Sequence, residues 1–305
     1  MNKLLKELIE KNKVYGEKGN LASYIPALLK ADKKDLGIAI MKLDGREFCA
    51  GECDKLFTIQ SISKVVSLIL AIEDNGYKKV LEKVNVEPTG EGFNSIVNLE
   101  TKDTKRPYNP MINAGAIMTT SLITGNDEEE KFRKIIEFIK KVTNNNNITI
   151  DEEVYISEKE TGDRNRALAY FMKGNGILNG EIEEVLDIYF KQCSIRATAR
   201  DLARFGAVLA NDGILPWSGE RVIEKDICRV VKTIMVTCGM YDASGEFAVK
   251  IGIPAKSGVG GGILGAVPKR MGIGVYGPAL DEKGNSIAGI ELLKDISREL
   301  DLTIF

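Results

Sequence analysis

Ser61 and Lys64, in the run Gln60-Ser61-Ile62-Ser63-Lys64, are the residues whose types and spacing best suit covalent chemistry. Three positions apart at the opening of a helix, they share one face, with Cβ atoms roughly 5–6 Å apart. A serine hydroxyl attacks a carbonyl only when a base takes its proton. A lysine can be that base only if burial or a neighbouring cation brings its pKa toward neutrality. A helix start also supplies free N–H groups and the positive dipole end where an oxyanion would form. Taken alone, the tetrapeptide is common and reads more simply as a capping serine beside a solvated lysine. Ile59 and the apolar run after Lys64 argue otherwise, because they bury the turn, and a buried lysine without a partner is costly.

The chain has no histidine among its 305 residues. This excludes Ser-His-Asp and Cys-His catalysis, HExxH zinc sites and every other scheme built on imidazole. Acid–base work must therefore fall to Lys, Tyr, Glu or Asp with shifted pKa values. With 42 basic and 44 acidic residues dispersed along the chain, no basic face is offered to nucleic acid or an acidic membrane, so the expected partner is a small molecule. The amphipathic N-terminus, MNKLLKELIEKNK, has no signal-peptide apolar core, and no apolar run is long enough to span a bilayer. Five irregularly spaced cysteines suit reduced thiols. The expectation is a cytoplasmic protein. Cys49 and Cys53 are the only close pair, weak evidence for a metal, and neither metal nor cofactor is expected.

The elements that must position these residues follow from periodicity. Leu36 to Leu43 and Arg46 to Ala50 read as strands of a hairpin around Asp44-Gly45. Ile62, Val65, Val66, Ile69 and Ile72 fall at helical spacing and end at Asn75-Gly76. Further helices are expected over Asp127 to Val142, Glu181 to Lys191 and Ala199 to Ala210, the last opened by a capping box of Thr198 and Asp201. Ala248 to Ile251, Gly262 to Val267 and Met271 to Tyr276 read as strands, and Ala288 to Leu300 as an amphipathic helix. A mixed α/β (α+β) fold is implied. In it a sheet lobe from about 1–60 and 242–305 carries an inserted helical lobe, about 61–241, with a cleft between them.

Lys256-Ser257-Gly258, opening a strand-like segment, pairs with Ser-x-x-Lys as in β-lactamases and penicillin-binding proteins. The resemblance then becomes specific. Gly19 to Pro26, Gln60 to Lys64, Asn109 to Ala116, Ser157-Glu158 with Arg164-Asn165-Arg166, and Lys256 to Gly262 together look like the serine-dependent glutaminases, in order and over nearly the whole chain. The resemblance implies a β-lactamase/transpeptidase-like antiparallel sheet flanked by helices, hydrolysis of L-glutamine to L-glutamate and ammonia, and a homo-oligomer, dimer or tetramer. It makes Ser61 the nucleophile and Lys64 its base, and with no histidine present proton delivery to the leaving ammonia falls to Tyr241 or Lys64 as the further catalytic group. The substrate set would be Tyr24, Ser61, Asn113, Glu158, Asn165, Tyr189, Tyr241, Ser257 and Val259.

That set suits free glutamine, whose ammonium and carboxylate must both be desolvated. Glu158 can pair with the ammonium, Asn165 and tyrosine hydroxyls can donate to the carboxylate, and the Ser61 and Val259 N–H groups can face the amide oxygen. Read locally, the same residues have plainer roles: Asn109-Pro110 and Asn113 a turn and cap, Glu158 a solvated carboxylate, Tyr189 a core residue. Two other functions stay open, a β-lactamase or DD-peptidase-like amidase and a non-catalytic acylated sensor. Gly260 to Gly265 fits GxGxxG without the strand-to-helix setting a dinucleotide needs.

Overall fold

The computed structural model describes residues 1–101 and 106–305. Helix α1 (Asn2–Asn12) precedes a hairpin of β1 (Gly37–Lys42) and β2 (Glu47–Gly51), followed by the two-residue β3 (Phe57–Thr58). Next come α2 (Ser63–Asn75), α3 (Tyr77–Lys83), α4 (Val97–Thr101), α5 (Asn113–Ser121) and α6 (Glu128–Thr143). After α7 (Glu152–Glu160), α8 (Asp163–Gly174) and α9 (Ile182–Cys193), the short β4 (Arg196–Ala197) leads into α10 (Ala199–Ala210), α11 (Lys225–Cys238) and α12 (Ser244–Lys250). The chain closes with β5 (Ala255–Ser257), β6 (Gly262–Val267), β7 (Met271–Tyr276) and α13 (Ile287–Leu300).

The main sheet has the order β2-β1-β7-β6-β5, antiparallel throughout. Strands from both ends of the sequence thus share one sheet. The Asp44-Gly45 hairpin forms as expected, with Gly45 at φ 86 in the turn. The Thr198–Asp201 capping box is made in full. Asp127 caps α6 through the Glu130 N–H.

Alternation along the strands explains how both sheet faces are covered. Met271, Ile273 and Val275 of β7 join Ile38 and Ile40 in a cluster with Leu5 and Leu8 of α1 and Leu292 and Ile296 of α13. The intervening Gly272 and Gly274 face α10, and the absence of side chains lets the helix lie directly on the strands. A Cβ at Gly274 would stand 1.8 Å from Ala199 O, and one at Gly272 would stand 2.0 Å from the Ala207 nitrogen. Gly274→Ala is therefore expected to destabilise the fold by about 3 kcal/mol, the upper end for an overpacked core. A lowered urea midpoint at unchanged slope would record this, and an unchanged midpoint would disprove the packing argument.

One expected strand is a helix. Ala248 to Ile251 lies in α12 and its C-terminal cap. Phe247 and Ile251, four apart, are buried, while Val249 between them is 89 % exposed. That is the pattern of a helix face, and a Glu246–Lys250 pair reinforces it. Among the described residues, no helix is long and apolar enough to cross a membrane.

Candidate active site

Ser61 does not sit on the first turn of an α-helix, as its spacing suggested. It lies in a 3₁₀ turn, Gln60–Ile62, and α2 begins at Ser63. The turn is held from two sides. β3 pairs with β4 just before it, and the Ile59 N–H donates to Ile195 O at 2.9 Å. The loop after β5 presses against it, since Cβ atoms at Gly258 and Gly260 would stand 2.5 Å from Ile59 O and 2.2 Å from Thr58 O. Gln60, directly before Ser61, is forced to φ 48. Non-glycine residues adopt this conformation only when their surroundings over-determine it.

Lys64 is completely buried. Its Nζ donates to Asn113 Oδ1 at 2.6 Å and to Met111 O at 3.2 Å. The Phe93 ring lies 5.9 Å from the amine. Loss of hydration brings its pKa down to about 8, against the smaller opposing pull of Cys193 and Glu158. Asn113 passes the contact on, its Nδ2 donating to Asn165 Oδ1 at 2.9 Å. The turn reading belongs to Asn109 instead, whose Oδ1 accepts from the Met111 and Ile112 N–H groups. Asn113 is a helix residue whose side chain is committed to Lys64.

A cavity of about 80 Å³ is lined by Tyr24, Gln60, Ser61, Asn113, Glu158, Asn165 and Tyr189, together with Phe93, Asn94, Thr161, Gly162, Arg164 and Cys193. Six of the anticipated residues, drawn from five separate stretches of chain, thus converge. Glu158 is 7 % exposed and is no solvated carboxylate. Burial pushes its pKa up to about 7, with the Gln60 side chain and then Lys64 pulling it back. Tyr189 is buried with its ring against Phe190, so it serves the core and the cavity together. Tyr24 is half exposed at the rim.

Tyr241 sits behind the turn, its backbone at φ 54 and its ring between Phe93 (4.9 Å) and Lys256 Nζ (4.4 Å). Its Oη is buried and, among the described residues, meets no partner at hydrogen-bond geometry. Burial raises its pKa and keeps the phenol protonated, although Ser61 and the Val259 N–H are near enough to oppose the shift. Val259 packs on Tyr241 in a small apolar cluster. It stands on the turn beyond β5, which ends at Ser257, so the strand itself does not carry it. Ser257 is buried, its Oγ has no partner among the described residues, and it does not line the cavity. Lys256, also fully buried, donates to Ser257 O at 2.6 Å, and its pKa is held well below normal by burial and then by Lys64.

Gln60, Phe93, Met111 and Cys193 were not anticipated. Gln60 had a usable signal, a polar residue inside an apolar stretch next to the serine. Phe93, alone in a Gly- and Glu-rich segment, had none.

A Ser-x-x-Lys turn backed by a Lys-Ser-Gly strand end, on an antiparallel sheet covered by helices on both faces, is the β-lactamase-like fold. The profile of the Glutaminase family matches residues 19–305. Glutaminase 2 of Clostridium perfringens is 67 % identical over 305 residues, the full length of both chains, and the glutaminase of Clostridium tetani is 62 % identical over the same extent. A Bacillus subtilis glutaminase, solved as a covalent complex with 5-oxo-L-norleucine formed by reaction with 6-diazo-5-oxo-L-norleucine, superposes with a TM-score of 0.91. The two are 42 % identical, with 100 % of this chain and 99 % of that one covered. This chain belongs to the glutaminase family and is a glutamine amidohydrolase.

Proposed function

We propose that the enzyme hydrolyses L-glutamine through an acyl-enzyme on Ser61, with Lys64 as the base. The observation that carries this reading is the amine of Lys64. It is buried one turn from Ser61 in a chain without histidine, with a pKa lowered to about 8. Two carbonyl acceptors take two of its donor positions, leaving one tetrahedral direction for a lone pair.

Ser61 gives its proton to Lys64 and attacks the side-chain amide carbon. The Ser61 and Val259 N–H groups receive the oxyanion. Collapse breaks the C–N bond and needs a proton on the departing nitrogen. Tyr241 Oη–H donates it, because burial keeps the phenol protonated, and the Lys64 ammonium then restores the tyrosine. Water adds to the ester by the same route in reverse and releases L-glutamate. Glu158 holds the substrate ammonium. Asn165, whose Oδ1 is already taken by Asn113, turns its Nδ2 to the substrate carboxylate. The covalent adduct of the Bacillus subtilis relative with a glutamine analogue supports a nucleophilic side chain.

The reading requires Lys64 neutral and Glu158 ionised in the free enzyme. Both conditions improve as protons leave, so kcat/KM on glutamine should rise with pH through ionisations near 7 and near 8 and then level. Initial rates of ammonia release across this range test it, beside nitrocefin as a control. A profile flat from pH 6 to pH 9, or turnover of nitrocefin in place of glutamine, would remove the proposal.

A further inference from the structure

On the edge of the sheet away from the cleft, a second cluster has no part in the reaction above. Cys49 lies on edge strand β2, and Gly51, at φ 64, turns the chain sharply so that Cys53 folds back beside it. The two Sγ atoms and a carboxylate oxygen of Asp54 lie within 4.8 Å of one another. Arg200, on the first turn of α10, caps the group. Its Nη2 donates to Cys49 Sγ at 3.1 Å and lies 3.9 Å from Cys53 Sγ, while its Nε and Nη2 grip Asp54 at 2.8 and 2.9 Å. Glu47 takes its Nη1.

We infer that Cys49 and Cys53 form a reversible dithiol–disulfide site, with Cys49 the sulfur that reacts and Cys53 the sulfur that resolves it. The Arg200 guanidinium donates to Cys49, and Cys49 is partly exposed, so its sulfur is the one of the pair that a dissolved oxidant can reach. Cys53 is buried and keeps its proton, its thiol pushed up to about 12 by burial and by Cys49 beside it. A hydroperoxide is the matching oxidant. The Cys49 sulfur attacks the distal peroxide oxygen and gives up its proton to the departing oxygen, the O–O bond breaks, and sulfur is oxidised to the sulfenic acid as the peroxide is reduced to an alcohol or water. Cys53 then attacks Cys49, the S–S bond forms, and hydroxide leaves with the Cys53 proton as water. The sulfurs must close to about 2.05 Å, a movement that side-chain rotation and the 51–54 turn can supply. A divalent metal is the poorer occupant, because Arg200 already places a fixed cation on Cys49 and on both Asp54 oxygens. Cys193, Cys228 and Cys238 are buried elsewhere.

Trypsin isolates the pair, since the peptide Glu47–Lys55 contains Cys49 and Cys53 and no other cysteine. After native protein is treated with hydrogen peroxide and then denatured with iodoacetamide, this peptide should appear unalkylated and about 2 Da below its dithiol mass. Dithiothreitol should restore it. In Cys53→Ser, a dimedone-reactive sulfenic acid should accumulate at Cys49, whereas in Cys49→Ser the remaining Cys53 should stay alkylatable. Full alkylation of the wild-type peptide after peroxide, over-oxidation of Cys49 without a disulfide, or a bond to another cysteine would overturn the assignment.

Discussion

Ser61→Ala should lower kcat on L-glutamine by about 10⁴- to 10⁶-fold, the scale of losing a nucleophile that acts as a unit with its base. The substitution deletes one oxygen from a side chain 8 % exposed and leaves untouched the contacts that hold the turn, namely the β3–β4 pairing and the Gly258–Gly261 loop. Folding should therefore be preserved, and glutamine should still raise the melting temperature of the variant, because Glu158, Asn165 and Tyr189 remain. Two readouts separate this from a structural effect. Acid quenching during turnover should trap a glutamyl ester on the peptide carrying Ser61 in the wild type only. The diazo-ketone that modifies the Bacillus subtilis relative should label the wild type and not the variant. Residual turnover within tenfold of the wild type, or labelling that persists in the variant, would place the nucleophile elsewhere.

Lys64→Met should reduce kcat by about 10³- to 10⁴-fold, the contribution of a positioned general base, while leaving the protein folded at pH 7. The stability half of this result follows from linkage. Lys64 has a pKa of about 8 in the folded chain, below the value of an unfolded lysine near 10.4, so the unfolded state binds more protons between these values. Below pH 8 the buried amine costs the native state roughly 3 kcal/mol, and this cost disappears as pH rises toward 10.4. Methionine fills similar volume without that cost but leaves Asn113 Oδ1 and Met111 O without their donor, which offsets part of the gain. The variant should thus match or exceed the wild type in denaturant midpoint at pH 7, and lose ground as pH climbs from about 8 to 10. A difference independent of pH would mean that Lys64 is charged in the native state and cannot be the base.

A lysine buried out of water and two non-glycine residues at positive φ, Gln60 and Tyr241, lie around one serine. Such costs are tolerated where the rest of the molecule over-determines the geometry. Here the close approach of the Gly258–Gly261 loop and the direct seating of α10 on Gly272 and Gly274 supply it. The turn that carries Ser61 is thereby fastened to the sheet.

Local pattern was sufficient for the elements whose signal is local. The α2 run, the Asp44-Gly45 hairpin and the Thr198 capping box follow from spacing and short-range hydrogen bonding, and the absence of histidine alone narrows the expected acid–base groups to lysine, tyrosine and carboxylates. The ordered motifs carried the family and the fold. Where two periodicities compete over few residues, as at Ala248 to Ile251, the sequence was ambiguous, and burial of Phe247 and Ile251 on one helical face decided it. Tertiary structure alone set the protonation states and the partners. Nothing near Lys64 in sequence shows that Asn113 and Met111, nearly fifty residues away, receive its amine, nor that Glu158 is dehydrated enough to titrate near 7. A pKa depends on the solvent and charge surrounding a group in three dimensions, and those surroundings are assembled from distant segments, so no local stretch of sequence contains them.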